Sequence, residues 1–453
     1  WSGDSGSLLY QSADRLRLVS VDTARVRDVP VELRGQPTRP TGRTVIHAGG
    51  LFDGVLDVLQ PAMDLVVAGN RIVAIEPHRD ELHNDHEGRI IDASDATVMP
   101  GLIEMHTHLN KQFGEPLGRI FLAYGITTVR VPAGSPYDAI ENREAFAAGV
   151  RVGPRVFTTG YTFDGPRIFY PGSLGLSAGP QLDRELERAR ALRYDLLKTY
   201  VRLPDLLQQR VIDFGHEHGI PVTSHELYPA VALGADGVEH IGGTSRRGYS
   251  PKRSLLQRSY GDVVGLLAAS GMTLSPTISI GGFQLMALRH PDLLRDPRFE
   301  RLFPRWTVRA ARNAVERAAR GGLDIRRARA EAQAATVLAL TRAGGRVIAS
   351  TDSPIMPYAI SLHTELEHFV DGGLTPFEAL RTATVNAAAA LGSRDDLGTL
   401  EPGKLADLVI VEGNPLRDIT HTRRVRAVMK NGSFFELETL LGTRRAGPAT
   451  LQR

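Results

Sequence analysis

The chain has 453 residues, 42% hydrophobic and 23% charged, the profile of a soluble globular protein built from two or three units. Its net charge of +3 is too mild to argue for nucleic-acid binding, and no run of roughly 18 apolar residues offers a transmembrane helix. Cys is absent, which excludes disulfides, thiolate nucleophiles and Cys-ligated metals and leaves the chain indifferent to redox compartment. It starts Trp1-Ser-Gly-Asp-Ser, without a start Met or a signal peptide, as expected of a mature product or a fragment.

In chain order, residues 1–42 contain two short strand-like runs, Ser7-Leu-Leu-Tyr-Gln and Leu16-Arg-Leu-Val-Ser-Val, then a linker from Pro37 to Pro40. Residues 43–98 are strand-rich, with Gly69-Asn70 placed for a tight hairpin turn. Similar runs return in residues 400–436, at Ala406-Asp-Leu-Val-Ile-Val and Val425-Arg-Ala-Val-Met-Lys, so the two regions are expected to pair as one small β-sandwich. Between them, residues 99–399 alternate short apolar strands with helical stretches. Eight strands are expected, near 102–106, 127–131, 155–159, 196–201, 221–225, 237–241, 272–277 and 346–352, which reads as an α/β fold, a (β/α)8 TIM barrel. Residues 281–345 form a long insertion before strand 8; Leu302 to Arg320 and Arg326 to Arg342 look helical and Arg-rich. Such helices suit a lid, a homo-oligomer contact or a solvated face. Residues 437–453 form a tail.

The chain is organised around Met99-Pro-Gly-Leu-Ile-Glu-Met-His-Thr-His-Leu-Asn. Residues i and i+2 of a strand share a face, so His106 and His108 project side by side, the start of a chelate. A bare His-x-His is short enough to arise by chance. Four further ligand-type residues fall where strands end: Lys198 on strand 4, His225 on strand 5, His240 on strand 6 and Asp352 on strand 8. Catalytic groups of a (β/α)8 barrel sit at that rim. Tyr228 follows His225 by three residues and could bond a developing oxyanion; a packed aromatic is the alternative. Tyr200, Arg202, Ser245, Arg246 and Arg247 belong to the same top loops, where guanidinium groups could grip a carboxylate, as could Arg130. His363, beyond strand 8, is read as structural.

The order His-x-His, Lys, His, His, Asp on strands 1, 4, 5, 6 and 8 resembles the amidohydrolase superfamily over residues 43 to about 436. Gly125-Ile-Thr-Thr-Val-Arg, Leu362-His-Thr-Glu-Leu, Gly373-Leu-Thr-Pro and Gly398-Thr-Leu-Glu-Pro-Gly-Lys-Leu-Ala-Asp-Leu-Val look like its imidazolonepropionase-like and prolidase-like branch. Val131 departs from the Asp that many relatives carry there. Residues 1–42 resemble the last strands of a Tol-type propeller, which implies a propeller domain missing from this chain and a periplasmic or secreted setting.

The resemblance implies a small-molecule hydrolase with two divalent metals, usually zinc, bridged by a hydroxide and by a carbamate formed on Lys198 with carbon dioxide. Carried over by position, His106, His108 and Asp352 hold one metal and His225 and His240 the other; Asp352 also moves the proton. The expected reaction is amide hydrolysis of dipeptides or N-acyl amino acids. Three alternatives stay open: a mononuclear deaminase, a lactone or cyclic-amide hydrolase, and a non-catalytic metal-binding module. Deaminases of the superfamily resemble His-x-x-Glu after strand 5, whereas here Glu226 is adjacent to His225 and position 228 is Tyr.

Overall fold

A computed structural model describes residues 1–32, 40–79, 88–242, 252–255 and 257–442. The expected N-terminal pair of strands is present as Ser7–Ser12 and Arg15–Ser20, and a third, Val26–Val29, completes a small antiparallel sheet. No described helix is long and apolar enough to cross a membrane.

Both flanks of the central region meet in one seven-stranded sheet. Its order is Ser433–Glu436, Val425–Lys430, Leu408–Val411, Gly88–Pro100, Arg43–Leu51, Gln60–Ala68, Arg71–Pro77. Only Arg43–Leu51 and Gly88–Pro100 run parallel to each other. Ala68 pairs with Arg71, so Gly69-Asn70 is the expected two-residue turn, with Gly69 at φ 59°. Asn70 donates to the Asn431 side chain at 3.1 Å, tying the turns of the two flanks together. The parallel pair slips register between Ala48 and Gly50. A Cβ on Gly49 would stand 2.0 Å from the Ser94 carbonyl, so glycine is what lets the strands close there. Ile46, Leu51, Leu65, Val98, Leu408, Ile410 and Met429 form a single apolar cluster from both flanks. Burial at about 1.5–3 kcal/mol for such a side chain holds them together.

The central region is a TIM-barrel-like α/β arrangement. All eight expected strands exist, as Leu102–Glu104, Ile126–Val131, Arg155–Thr158, Leu197–Thr199, Val222–Ser224, Gly237–Glu239, Thr273–Ser275 and Arg346–Val347. They lie in two parallel arcs, one of three strands and one of seven; the latter includes two short strands the patterning did not foresee, Thr162–Asp164 and Ser173–Gly175. Hydrogen bonds beyond the strands link the arcs. Met105 N–H reaches Ala349 O at 3.0 Å, Asp352 N–H reaches His106 O at 2.7 Å, and Asp195 N–H reaches Thr158 O at 2.9 Å. Ile126–Val131 is buried throughout, which explains its continuous apolar and β-branched run.

The insertion carries helices Pro297–Leu302, Arg305–Arg320 and Leu323–Arg342, close to the expected pair. His363 is structural, as read: its Nδ1 is 2.9 Å from Thr422 Oγ1 and its Nε2 is 3.0 Å from Tyr124 O. Glu365, two residues on, accepts the Ile278 and Ser279 backbone N–H groups at 2.9 and 2.6 Å. The Leu362-His-Thr-Glu-Leu stretch is therefore a packing device beside the barrel strands.

Candidate metal centre

Three strand ends converge on Asp352. His108 Nε2 stands 3.0 Å and His106 Nε2 3.5 Å from its Oδ1, and His240 Nε2 stands 3.7 Å from its Oδ2. The ring of His240 lies 4.7 Å from that of His106 and 4.9 Å from that of His225, between centroids. Lys198 is 2% exposed, with its Nζ 6.0 Å from the Tyr200 ring. Tyr200 in turn lies 4.6 Å from the His225 ring. The structure thus gathers His106, His108, Lys198, His225, His240 and Asp352, with Tyr200 beside them.

The local backbone explains how neighbouring residues can all face inward. His240 and Asp352 have φ of 61° and 59°, and Thr277 57°. Each sits at a strand exit in the left-handed region, where a non-glycine residue costs of order 1–3 kcal/mol. The turn at His240 breaks strand alternation: Glu239 meets His106 Nδ1, and His240, the next residue, turns its Nε2 toward Asp352.

Glu239 is the residue that sequence reasoning missed. It is fully buried and accepts from Arg130 Nη2 at 2.6 Å, Thr223 Oγ1 at 2.7 Å and His106 Nδ1 at 2.7 Å. Burial works to raise its pKa, but Arg130 and His106 outweigh that and hold it well below the usual range. Arg130 is consequently not part of a cationic rim. It is buried under the site, with Nε on the Met105 carbonyl at 2.5 Å. Glu239→Gln keeps the shape and strands the Arg130 charge, so a loss of about 3–5 kcal/mol in unfolding free energy is expected by denaturant titration. An unchanged midpoint would show the pair to be dispensable. Lys252 was missed too: it is buried and donates to the His225 and Glu239 carbonyls at 2.9 and 2.6 Å, clamping strands 5 and 6. Burial brings its pKa down to about 8. Glu104, whose pKa burial pushes up to about 8, takes the His106 and Thr351 N–H groups at 2.9 and 3.1 Å.

Hydrogen bonds fix the imidazole tautomers. His106 Nδ1 gives its proton to Glu239, and His108 Nδ1 gives its proton to Ala133 O at 3.0 Å. Thr277 Oγ1 donates to Pro276 O at 2.7 Å, so it accepts from His240 Nδ1, also at 2.7 Å. The Nε2 lone pairs therefore face the Asp352 carboxylate. Burial brings the His106 pKa down to about 4 and lowers that of His240 well below its usual value, keeping both rings neutral. Burial would raise Asp352, and it is positive charge on the imidazole side, at His106, His108 and His240, that would hold it far below the carboxylate range; neutral rings leave that charge to a bound cation. Two lone-pair donors and an ionised carboxylate this close, with no proton between them, suit a divalent cation. His106, His108 and Asp352 form such a metal-type group.

The remaining predicted residues are placed less centrally. Tyr228 is 44% exposed. Arg202 Nη1 is committed to the carbonyls of Arg167 and Ile168, the latter at 2.7 Å, and its guanidinium lies over Phe169. Ser245, Arg246 and Arg247 lie outside the described residues.

Imidazolonepropionase of Sphingopyxis alaskensis is 28% identical over 376 residues, covering 78% of this chain and 87% of that protein. Ochratoxinase of Aspergillus niger is 37% identical over 100 residues, 21% of this chain, and the match spans only 20% of that protein's length. Among solved structures, a Xaa-Pro dipeptidase with methionine bound in its active site aligns at TM-score 0.67 and 25% identity, over 87% of this chain and 100% of that one. The A. niger ochratoxinase structure aligns at TM-score 0.63 and 19% identity, over 87% of this chain and 96% of its own, a likeness of fold. The amidohydrolase family model matches residues 97–434 without a break, from the strand that leads into His106 to the return into the small sheet, and the chain belongs to that family.

Proposed function

We infer that this amidohydrolase cleaves the amide bond of small molecules bearing a free carboxylate, dipeptides or N-acyl amino acids. The observation that carries the reading is the set of inward-facing Nε2 atoms of His106, His108 and His240 around an ionised Asp352. In architecture we read residues 99–399 as a closed (β/α)8 barrel, 43–98 with 400–436 as a small β-sandwich, 1–42 as a propeller remnant and 437–453 as a tail.

In this reading His106, His108 and Asp352 would hold one divalent ion, zinc by ligand chemistry, and His225 and His240 would hold a second. Lys198 would serve such ions as a carbamate, because an ammonium would repel a dication whereas a carbamate offers anionic oxygens. The ions supply Lewis acidity that polarises a carbonyl and makes water nucleophilic near neutral pH. The protein supplies the rest. Glu239, backed by Arg130, orients His106. Asp352 takes the proton from the nucleophile and passes it to the leaving amine. Tyr228 donates its hydroxyl to the developing oxyanion.

The carboxylate of the substrate is gripped by Arg246 and Arg247, while Arg202 holds the Arg167–Ile168 backbone and Tyr200 lines the floor. The dipeptidase structure, with an amino acid in its active site, supports a substrate of this class. A charged hydrogen bond contributes about 1.5–3 kcal/mol, so free-acid substrates should be preferred over their amidated analogues by roughly 10- to 100-fold in kcat/KM. Arg246→Ala or Arg247→Ala should erase that preference and leave amidated analogues little changed. Equal rates on both forms in the unaltered enzyme would redirect the search to lactones or cyclic amides.

A further inference from the structure

A second group of ligand-type side chains lies on the seven-stranded sheet, and the hydrolytic reading leaves it unused. His47 on Arg43–Leu51 sits directly across from Asp64 on Gln60–Ala68. His78 follows Arg71–Pro77 and is fixed by its N–H to Ala62 O at 2.8 Å. His47 Nδ1 stands 3.1 Å from Asp64 Oδ1, and His78 Nδ1 stands 2.9 Å from the same oxygen and 3.1 Å from Oδ2. The two rings lie 3.6 Å apart between centroids, tilted by 38°. Ligand atoms on a tetrahedral zinc with bonds of about 2.0–2.1 Å stand ~3.3 Å from one another, so adjustments of a few tenths of an ångström fit an ion among these three.

Charge along the sheet points the same way. Across four strands the paired residues read Asp92, His47, Asp64, Glu76. Paired residues share a face, and like charges directly opposite each other are destabilising. Asp64 and Glu76 are such a pair. Arg79 Nη2 takes up Glu76 at 2.6 Å, which leaves Asp64 and Asp92 on either side of His47. Asp64 is 1% exposed, and its Oδ2 accepts the Arg79 backbone N–H at 2.9 Å, an arrangement that orients a ligating carboxylate. The His47 and His78 side chains are 12% and 21% exposed, enough for an ion to enter from solvent.

We propose that His47, Asp64 and His78 form a structural site for one divalent transition-metal ion, zinc by donor set, that staples three successive strands of the small sheet. The site is distinct from the centre at Asp352 and stands whether or not that centre is binuclear. Two imidazoles and one carboxylate oxygen are the ligands such ions take.

The chain contains no Cys, which supplies a clean test. His78→Cys, stripped with chelator and titrated with cobalt(II), should develop a sulfur-to-cobalt charge-transfer band at one equivalent, because no other thiol exists. His47→Gln/His78→Gln, loaded with zinc and desalted, should carry one ion fewer per chain than the unaltered protein and keep its hydrolytic rate. Its unfolding temperature should no longer rise with zinc as far as that of the unaltered protein. A folded His78→Cys protein with no such band, or a zinc content unchanged in the double variant, would overturn the site and reduce the cluster to hydrogen bonds. Loss of zinc at the barrel alone would show as a count lowered by His106→Ala/His108→Ala but not by the sheet variants, so failure of one site is readable apart from the other.

Discussion

On the proposed binuclear reading, Lys198→Ala should lose bound metal and about 10³-fold or more in turnover, a loss of about 4 kcal/mol of transition-state stabilisation. Added formate or acetate should restore part of both. Lys198 lies on Leu197–Thr199 opposite Thr223, and it is almost fully buried. Burial lowers its pKa, in opposition to the nearby Glu239 and Asp352 charges. That increases the share of neutral amine, the form that adds carbon dioxide, with an N–C bond formed and a proton released. A purely structural lysine would behave differently. Removing it would unbalance Glu239 and Asp352 and lower stability, and short carboxylates would restore nothing. Lys198→Met, which keeps the stem, separates the two roles: metal content and turnover should fall as in the alanine variant, with stability closer to the parent. Full activity in either variant would remove Lys198 from the reaction.

Asp352→Asn should leave the fold intact and cut kcat by roughly 10³-fold. The residue is suited to a clean experiment. Asp352 occupies the left-handed region at φ 59°, which Asn tolerates, so the substitution adds little backbone strain, whereas alanine would add about 1–2 kcal/mol. Asn keeps an oxygen within reach of His108 Nε2 and loses the charge and the proton-accepting site. Crystallographic or elemental analysis should still find metal at His225 and His240. A fall of less than tenfold, about 1.4 kcal/mol, would mean that the proton leaves by another route.

The strands and the residues gathered at Asp352 were legible because a buried parallel strand reads as a short apolar run, and a rim residue lies at the end of such a run or shortly after it. His225 and His240 directly follow Val222–Ser224 and Gly237–Glu239, Lys198 lies inside Leu197–Thr199, and Asp352 comes five residues after Val347. Glu239 was not legible, since strand alternation would place His240 on the opposite side of the strand; only the left-handed φ at 240 lets His240 reach Asp352 while Glu239 holds His106. Val-Glu-His after a glycine held the one available hint, an acid inside an apolar strand. Arg130 misled for the opposite reason. An arginine near a rim reads as solvent-facing, but its partner, Glu239, lies 109 residues away in sequence. Arg202 likewise spends Nη1 on backbone carbonyls, which composition cannot reveal. Lys252 lies far from any motif, and its two carbonyl partners exist only once strands 5 and 6 are side by side.

The seven-stranded sheet sets an order of events during synthesis. Pro100 pairs with Leu408 and Thr97 with Val411, so the strand that feeds the catalytic unit is completed by one made about 300 residues later. At roughly 5–20 residues per second the ribosome needs about 15–60 s to deliver that partner. Throughout that interval the Thr97–Pro100 edge, buried in the finished fold, lacks its strand partner, the kind of surface that chaperones hold and that aggregates recruit. The nascent chain is therefore most vulnerable before residue 411 emerges, and a ribosome stalled within the central region would release a product with a half-built sheet.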